Sequence, residues 1–279
     1  MYDDAGSGAR TGRTGTTDRR VCLDRPREPL PTRVEGLPAL PVEYDAALAD
    51  GLRDLGITLT PVARRAIDDH VRLLLAWNAA INLTAIRDPV EIARRHVVDS
   101  LAAVPLFRAR KIAGLVDLGS GGGFPGLPLA AATGVERALL VDSVGKKAAF
   151  LAAAVEATGL GSRISVAATR AEALAADPRH RQRWPAVTAR AVGSLAEIVE
   201  LAFPLLLPGG CLIAWKRGEA DDEIAAGRRA MAAMGGGRIE SHDVVAAGLE
   251  GHRLVVATKR GRTAADYPRD PAARRRRPW

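Results

Sequence analysis

Residues 115–126, Leu-Val-Asp-Leu-Gly-Ser-Gly-Gly-Gly-Phe-Pro-Gly, decide the fold of this chain. An apolar run that contains an acid leads directly into a loop dense in glycine, and this pattern predicts a buried strand, a tight turn and the start of a helix. Glycine is needed where the backbone takes a positive φ or touches a ligand, because a Cβ would prevent both. The loop therefore predicts a ligand that lies directly on the backbone.

The loop also fits the G-x-G-x-x-G pattern of dinucleotide-binding proteins, but two of its residues argue against a bound pyrophosphate. Pro125 removes one of the N–H groups that would bind phosphate at a helix N-terminus. Asp117 would place a carboxylate beside the phosphates, and like charges repel. We therefore expect an uncharged or cationic ligand, with an NAD(P)-dependent oxidoreductase as the alternative interpretation.

From Asp117 onward the spacing is acid-x-Gly-x-Gly-x-Gly, which resembles the first motif of the class I methyltransferases. The resemblance implies a Rossmann-like α/β fold and a loop that lies under the amino-acid and ribose parts of S-adenosylmethionine. That donor carries a sulfonium and an ammonium group but no phosphate. An acid beside it is then favourable.

The rest of the chain repeats this alternation of strands and helices. Strand-like runs occupy residues 115–118, 138–142, 164–167, 186–191 and 211–215, and two more at 239–245 and 252–258 could close the sheet antiparallel. We therefore predict a mostly parallel seven-stranded sheet, preceded by helices from about residue 42 onward. Such a sheet binds its ligand at the carboxyl ends of its strands.

Four polar residues lie at those strand ends and are expected to converge on one rim: Asp117, Asp142, Arg190 and Lys216. Asp142 is the candidate for hydrogen bonds to a ribose diol, and the alternative is that it only caps the next helix. For Arg190 the alternative is an ion pair with a neighbouring acid. His96 and Asp99 lie three residues apart on a predicted helix and can share a face.

Composition and charge limit the class of protein. The 279 residues are 47% hydrophobic and 4% aromatic, and they contain no apolar run of the about 18 residues that span a membrane. Residues 1–20 lack the apolar segment of a secretory signal, so we expect a cytoplasmic protein. Two cysteines, Cys22 and Cys211, are too few for a disulfide framework or a metal site, and we expect no metal.

The net charge of +8 is concentrated at the C-terminus, where residues 259–279 hold eight Lys or Arg and two acids. Arg274, Arg275, Arg276 and Arg277 could contact nucleic-acid phosphates or simply be solvated, and the sequence leaves both possibilities open. Residues 1–40 have no apolar periodicity and are expected to be disordered.

Several separated blocks of the chain are together similar to the RsmG family, also called glucose-inhibited division protein B, of bacterial 16S rRNA guanine-N7 methyltransferases. The blocks are Trp77-Asn78, Asn82-Leu83-Thr84, Arg95-His96, Asp99-Ser100, residues 119–126, Asp142-Ser143, Lys146-Lys147, Arg170-Ala171-Glu172, residues 188–191 and Tyr267-Pro268-Arg269. The family order is kept from about residue 42 to residue 270. Two departures are Gly122, where alanine is usual, and Arg217, which separates Lys216 from Gly218.

The resemblance implies S-adenosylmethionine as cofactor, 16S rRNA or the small ribosomal subunit as partner, and a set of site residues. The expected cofactor-binding residues are Asp117, Gly119, Gly121, Phe124, Asp142, Ala171, Glu172 and Arg190, with Ala171 and Glu172 at the adenine end. The candidate catalytic residues are Arg190 and His96. The expected organisation is an extension (1–40), a helical segment (41–110), a methyltransferase domain (111–260) and a basic tail (261–279).

The resemblance implies guanine N7 as the substrate atom, and the absence of one motif is compatible with it. Methyltransferases of exocyclic amines keep an acid-Pro-Pro-aromatic block after the fourth strand, and residues 188–191 of this chain are Thr-Ala-Arg-Ala instead. Guanine N7 suits that absence, because it is a lone pair with no proton to remove before attack. A non-catalytic RNA-binding protein with a vestigial donor site remains a third interpretation.

Overall fold

A computed structural model describes residues 29–218 and 221–279. The expected disorder of residues 1–28 lies outside the described residues. Residues 29–40, the rest of the N-terminal extension, are irregular but pack against α2 (Pro61–Asn78). Trp77 Nε1 donates to the Pro31 carbonyl at 2.6 Å, and the Arg72 guanidinium donates to the carbonyls of residues 34, 37 and 38.

Seven strands form a single sheet in the order β3-β2-β1-β4-β5-β7-β6. The strands are β1 (Gly114–Leu118), β2 (Arg137–Val141), β3 (Ile164–Ala167), β4 (Trp184–Arg190), β5 (Leu206–Arg217), β6 (Gly237–Asp243) and β7 (His252–Lys259). The first five are parallel, and β7 runs antiparallel to both β5 and β6. The predicted mostly parallel α/β sheet and its antiparallel closure are confirmed.

Helices cover both faces of the sheet, and each face has its own apolar core. The helices besides α2 are α1 (Val42–Asp54), α3 (Pro89–Ile92), α4 (Asp99–Leu101), α5 (Val104–Ala109), α6 (Gly126–Thr133), α7 (Gly145–Ala157), α8 (Ala171–Ala176), α9 (Leu195–Ala202), α10 (Asp221–Ala233) and α11 (Pro271–Arg276). A π-helix, Ala93–Val98, joins α3 to α4. Side chains begin several helices, as where Thr60 accepts from the Ala63 N–H of α2.

The position of β1 explains where a ligand can bind. β1 pairs with β2 on one side and with β4 on the other, and the chain crosses from β1 to β2 first. The connections that leave β1 and β4 therefore diverge to opposite faces and open a crevice at their carboxyl ends. The glycine loop, residues 119–126, lies at that crevice.

The C-terminal residues pack back on the domain through a buried acid. Glu200 of α9 is completely buried, and its carboxylate accepts from the Arg269 backbone N–H, from the Arg269 guanidinium and from Trp279 Nε1. Arg269 also stacks on the Trp279 ring at 4.4 Å. Burial of an acid is favourable only when such partners compensate it, so this contact fixes the end of the chain beside α9.

None of the helices in the described ranges has the length and apolar character required to cross a membrane. Those same ranges bring together no group of three or more His, Cys, Asp or Glu side chains that could hold a metal ion.

Candidate active site

Asp117 supports the glycine loop from below. Its side chain is fully buried, with Oδ1 accepting from the Thr188 hydroxyl at 2.7 Å and Oδ2 from the Gly126 N–H at 3.1 Å. Burial raises the pKa of this carboxyl to about 6, although the bonds from Thr188 and Gly126 work in the opposite direction. The carboxylate holds the start of α6 against β4. It does not line either cavity at the crevice, whereas the sequence analysis placed Asp117 against the donor.

The loop itself requires glycine where it bends over the sheet. Gly119 has a φ of +69°, and a Cβ there would lie 2.9 Å from Cγ2 of Val192. Gly121 also has a positive φ, and its N–H donates to Asp142 Oδ2 at 2.9 Å. Both glycines therefore shape the floor of the crevice.

The first cavity, of about 350 Å³, lies at the carboxyl ends of β1, β2 and β4. Gly119, Asp142, Ala171 and Glu172 line it, and the cofactor binding that the family resemblance implies for them stays a prediction. Asp142 uses Oδ1 to accept from the Val144 N–H at 2.9 Å, at the entry to α7. Asp142 thus accepts from the residue before α7 without capping the helix itself, and it lies in the cavity wall, where its hydrogen bond to a ribose diol stays a prediction.

Glu172 is held by an arginine from the far end of the chain. Arg274 of α11 forms an ion pair with Glu172, and its side chain is only 12% exposed. Burial alone would raise the pKa of Glu172, but the hydrogen bond and charge of Arg274 lower it below its ordinary value. Arg274 is thus not available for nucleic-acid phosphates, while Arg275, Arg276 and Arg277 are exposed.

A second cavity, of about 390 Å³, adjoins the first and shares Gly119, Lys147 and Ala191 with it. The remaining wall includes Gly121, Phe124, His96, Asp99, Arg190, Arg95, Arg217 and His252. The first five of these are candidate residues from sequence, whereas no sequence pattern pointed to Lys147, Arg217 or His252 as part of the cavity wall. The two cavities together make one elongated site, with its cationic end at the second cavity.

Lys216 points away from this site, so the four strand ends do not converge as expected. Its Nζ donates to the Gly193 carbonyl at 2.9 Å and forms an ion pair with Glu223. Side chains alternate along a strand, and Arg217, the next residue of β5, lines the second cavity instead. The alternation of β5 was the signal that would have identified Arg217.

Arg190 lies in the wall of the second cavity and forms the ion pair that was its alternative interpretation. Nη1 donates to Asp99 Oδ2 at 2.7 Å and to the Arg95 carbonyl at 3.2 Å. The guanidinium also lies 5.5 Å from the centre of the Phe124 ring. An ion pair with Asp99 and a contact with a ligand are compatible roles for Arg190. The ion pair holds the guanidinium at the cavity, and 17% of the side chain remains exposed.

His96 is a neutral part of the same wall. Its Nε2 lies 2.7 Å from the Thr84 hydroxyl, and its ring stacks on Phe124 with centres 4.9 Å apart. Burial, reinforced by the Arg190 charge, lowers the pKa of His96 to about 4. At neutral pH the ring is therefore uncharged, which suits packing and alignment better than the delivery of a proton.

His70 contacts the glycine loop from the α2 side and is buried there. Its Nε2 donates to the Gly122 carbonyl at 2.8 Å, whereas Nδ1 is buried and has no hydrogen-bond partner within residues 29–218 and 221–279. A proton on Nδ1 would have no acceptor, and burial lowers the pKa of His70 from 6.5 to about 4.

This lowered pKa predicts a loss of stability in acid. The unfolded chain takes up a proton below pH 6.5 and the folded chain only near pH 4, so the stabilisation present above pH 6.5 is lost as the pH falls through 4. Asp117, with its raised pKa, changes stability in the opposite sense. We therefore expect the difference in unfolding free energy between wild type and His70→Gln to fall by about 3 kcal/mol from pH 7 to pH 4. Urea unfolding at several pH values measures it, and a constant difference would contradict the neutral buried ring.

Comparisons of the sequence with known proteins identify one family. A model of the family described as rRNA small subunit methyltransferase G matches residues 63–249. The chain is 42% identical over 218 residues to the Ribosomal RNA small subunit methyltransferase G of Roseiflexus sp. (strain RS-1), which covers 77% of this chain and 92% of that protein. It is 36% identical over 233 residues to the protein of the same name from Pelotomaculum thermopropionicum, with 83% and 97% covered.

Solved structures show the same fold at much lower sequence identity. An O-methyltransferase from Bacillus cereus in complex with SAH matches with a TM-score of 0.52 and 16% identity, covering 77% of this chain and all of that one. At this identity the match establishes the fold alone.

Proposed function

Because the chain belongs to the rRNA small subunit methyltransferase G family, we propose that it methylates N7 of a guanine in 16S rRNA with S-adenosylmethionine as donor. The observation that carries the proposal is the pair of adjoining cavities at the carboxyl ends of β1, β2 and β4. One has the place and lining for a nucleoside, and the other is open to a base and rimmed by cations. The protein is thus an rRNA methyltransferase.

The residues of the first cavity fit the nucleoside part of this donor. Asp142 lies where a ribose diol would need an acceptor, and Ala171 offers a small apolar surface for adenine. Gly119 leaves the loop free of a Cβ where the ligand would lie on the backbone. When bound, the donor supplies a methyl group made electrophilic by its sulfonium.

The residues of the second cavity align the base rather than move protons. N7 of guanine attacks as a lone pair, so no side chain has to remove a proton first. The neutral His96 and the ion-paired Arg190 support this reading, because neither is placed as a general base. Arg217 and Lys147 can donate to O6 of a guanine whose N7 faces the first cavity.

The proposed partner is 16S rRNA or the small ribosomal subunit, in the cytoplasm. Donor titration by calorimetry tests the cofactor, and we expect binding of S-adenosylmethionine with none of NAD. Incubation of small and large ribosomal subunits with labelled donor then tests the substrate. Label restricted to the small-subunit RNA supports the proposal, whereas NAD binding or unlabelled RNA would reject it.

Arg274→Ala is predicted to weaken donor binding, because Glu172 would lose the cation that fixes it in the wall of the first cavity. We expect the dissociation constant for S-adenosylhomocysteine to rise about three- to tenfold, corresponding to the loss of one partly buried ion pair. Calorimetry measures it, with the exposed neighbour substitution Arg275→Ala as the matched control. Equal effects of the two substitutions would show that Arg274 has no special role.

A triple substitution of Arg275, Arg276 and Arg277 by serine tests the phosphate-contact interpretation of the tail. These three side chains are exposed, and replacing them leaves Arg269, Arg274 and Trp279 in their packed positions. We expect weaker binding of small-subunit RNA at low salt and a shallower dependence of affinity on salt. Unchanged affinity and slope would assign these arginines to solvent.

A further inference from the structure

The second cavity holds one side-chain acceptor that the chain itself does not use. His252 begins β7, and its Nδ1 lies 2.9 Å from Asp99 Oδ1. A carboxylate only accepts, so Nδ1 carries the hydrogen and donates. With the hydrogen on Nδ1, the ring presents the lone pair of Nε2, which has no hydrogen-bond partner in the part of the chain that the structure describes. The side chain is 16% exposed and lines the cavity.

The other acceptors in this wall are already engaged. Asp99 accepts from Arg190 through one oxygen and from His252 through the other. The Ser120 hydroxyl donates to the Asp117 carbonyl and accepts from the Val141 N–H. The Thr84 hydroxyl contacts His96 and accepts from the Ile86 N–H. Among the side-chain acceptor atoms of this wall, Nε2 of His252 is therefore the one to which no described group of the chain donates.

Strand pairing places this acceptor beside a donor. His252 and Arg217 are directly opposite in the antiparallel register of β7 and β5, so their side chains share one face of the sheet. Both line the second cavity, whereas Lys216 and its partner Arg253 take the other face. The cavity thus offers an acceptor and a cationic donor next to each other.

We propose that His252 Nε2 accepts a hydrogen bond from N1–H of the target guanine and so selects guanine over adenine. The assignment rests on the proposed function. A guanine with N7 towards the donor has O6 next to N7 and N1–H next to O6, which matches a cation followed by an acceptor. Adenine has a lone pair at its N1, and two lone pairs would face each other.

The same contact strengthens as methyl transfer proceeds. Bond formation at N7 places positive charge on the purine ring, and that charge makes N1–H a better donor. An interaction stronger in the transition state than in the ground state raises kcat and not only binding. His252 would then contribute to rate and to base specificity.

His252→Asn separates the proposed contact of Nε2 with the base from the hydrogen bond that Nδ1 donates to Asp99. The Asn amide nitrogen occupies the place of Nδ1 and can still donate to Asp99, but nothing replaces Nε2. We expect kcat/KM for small subunits to fall about 10- to 100-fold, with part of the loss in kcat. The melting temperature and the calorimetric affinity for S-adenosylhomocysteine should stay at wild-type values. His242→Asn, on the exposed edge strand β6, is the matched control and should behave as wild type.

Each of the following outcomes would overturn the assignment of His252 Nε2 to N1–H of guanine. Wild-type kcat/KM in His252→Asn would show that Nε2 contacts no substrate. A weaker affinity for S-adenosylhomocysteine would place Nε2 against the donor, and a salt dependence of subunit binding reduced by about one ion would place it against a phosphate. If the wild-type protein transfers no methyl group to 16S rRNA, the proposed function itself fails, whatever His252→Asn does.

Discussion

Arg190→Ala is expected to reduce methyl transfer by at least about 100-fold and to lower the free energy of unfolding by about 3 to 5 kcal/mol. The stability loss arises because Asp99, with 3% of its side chain exposed, would keep a buried charge with only His252 beside it. The activity loss follows because Arg190 also covers Phe124 and shapes the wall where the base is expected. Steady-state kinetics and urea unfolding measure the two effects separately.

Arg190→Lys is the matched variant, because it keeps the positive charge but has no planar fork to reach both Asp99 and the Arg95 carbonyl. We expect it to recover most of the stability and little of the rate. If Arg190→Ala retained wild-type rates, Arg190 would have no place in the reaction.

Asp117→Ala is expected to lower the free energy of unfolding by about 3 kcal/mol and to abolish measurable donor binding. The substitution leaves the Gly126 N–H buried without an acceptor and the Thr188 hydroxyl with only the Val116 carbonyl at 3.5 Å, and an unpaired buried group costs about 1 to 3 kcal/mol. The start of α6 and the loop before it would also lose their contact with β4. Thermal unfolding and calorimetry with S-adenosylhomocysteine measure the two effects.

Asp117→Asn separates the hydrogen bonds from the charge. Its amide keeps one acceptor, and the Thr188 hydroxyl can rotate to accept from the amide, so most of the stability should remain. Because the pKa of Asp117 is raised, its charge costs stability as the pH rises from 3.8 to about 6, and Asn removes that cost. An Asp117→Ala protein as stable as wild type would show that Asp117 does not support the loop.

Local patterns in the sequence predicted the sheet well. Strand β3 has the predicted bounds, and the ends of the other parallel strands except β5 differ by only a residue or two, since apolar runs between turns mark them directly. Gly119, Asp142, Ala171 and Glu172 lie in the wall of the first cavity, and their contacts with a cofactor stay a prediction. These features depend on spacing along a short stretch of chain.

The partners of the site residues could not be predicted in the same way. The Asp99–His252 pair joins residues 153 positions apart, and the Glu172–Arg274 pair joins residues 102 apart. Such contacts arise only when the sheet brings β7 beside β5 and when the C-terminal residues pack on α9. In the sequence, Arg274 is therefore indistinguishable from the other arginines of its basic run, and no local pattern marks His252.

Asp117 shows a further limit of motif reasoning. The motif places Asp117 near the carboxyl end of β1, but it does not show which way the carboxylate points. Both oxygens bond within the chain, and that follows from the path of β4 and α6 rather than from residues 115–126.

Nucleoside mass spectrometry of 16S rRNA tests the central claim most directly. Small subunits from a strain that lacks this enzyme would be incubated with the protein and S-adenosylmethionine carrying an isotopically labelled methyl group. The account predicts label in 7-methylguanosine, at a single position of the RNA. Label in an exocyclic N-methyl base or a 2′-O-methyl ribose, or no label in the RNA at all, would contradict it.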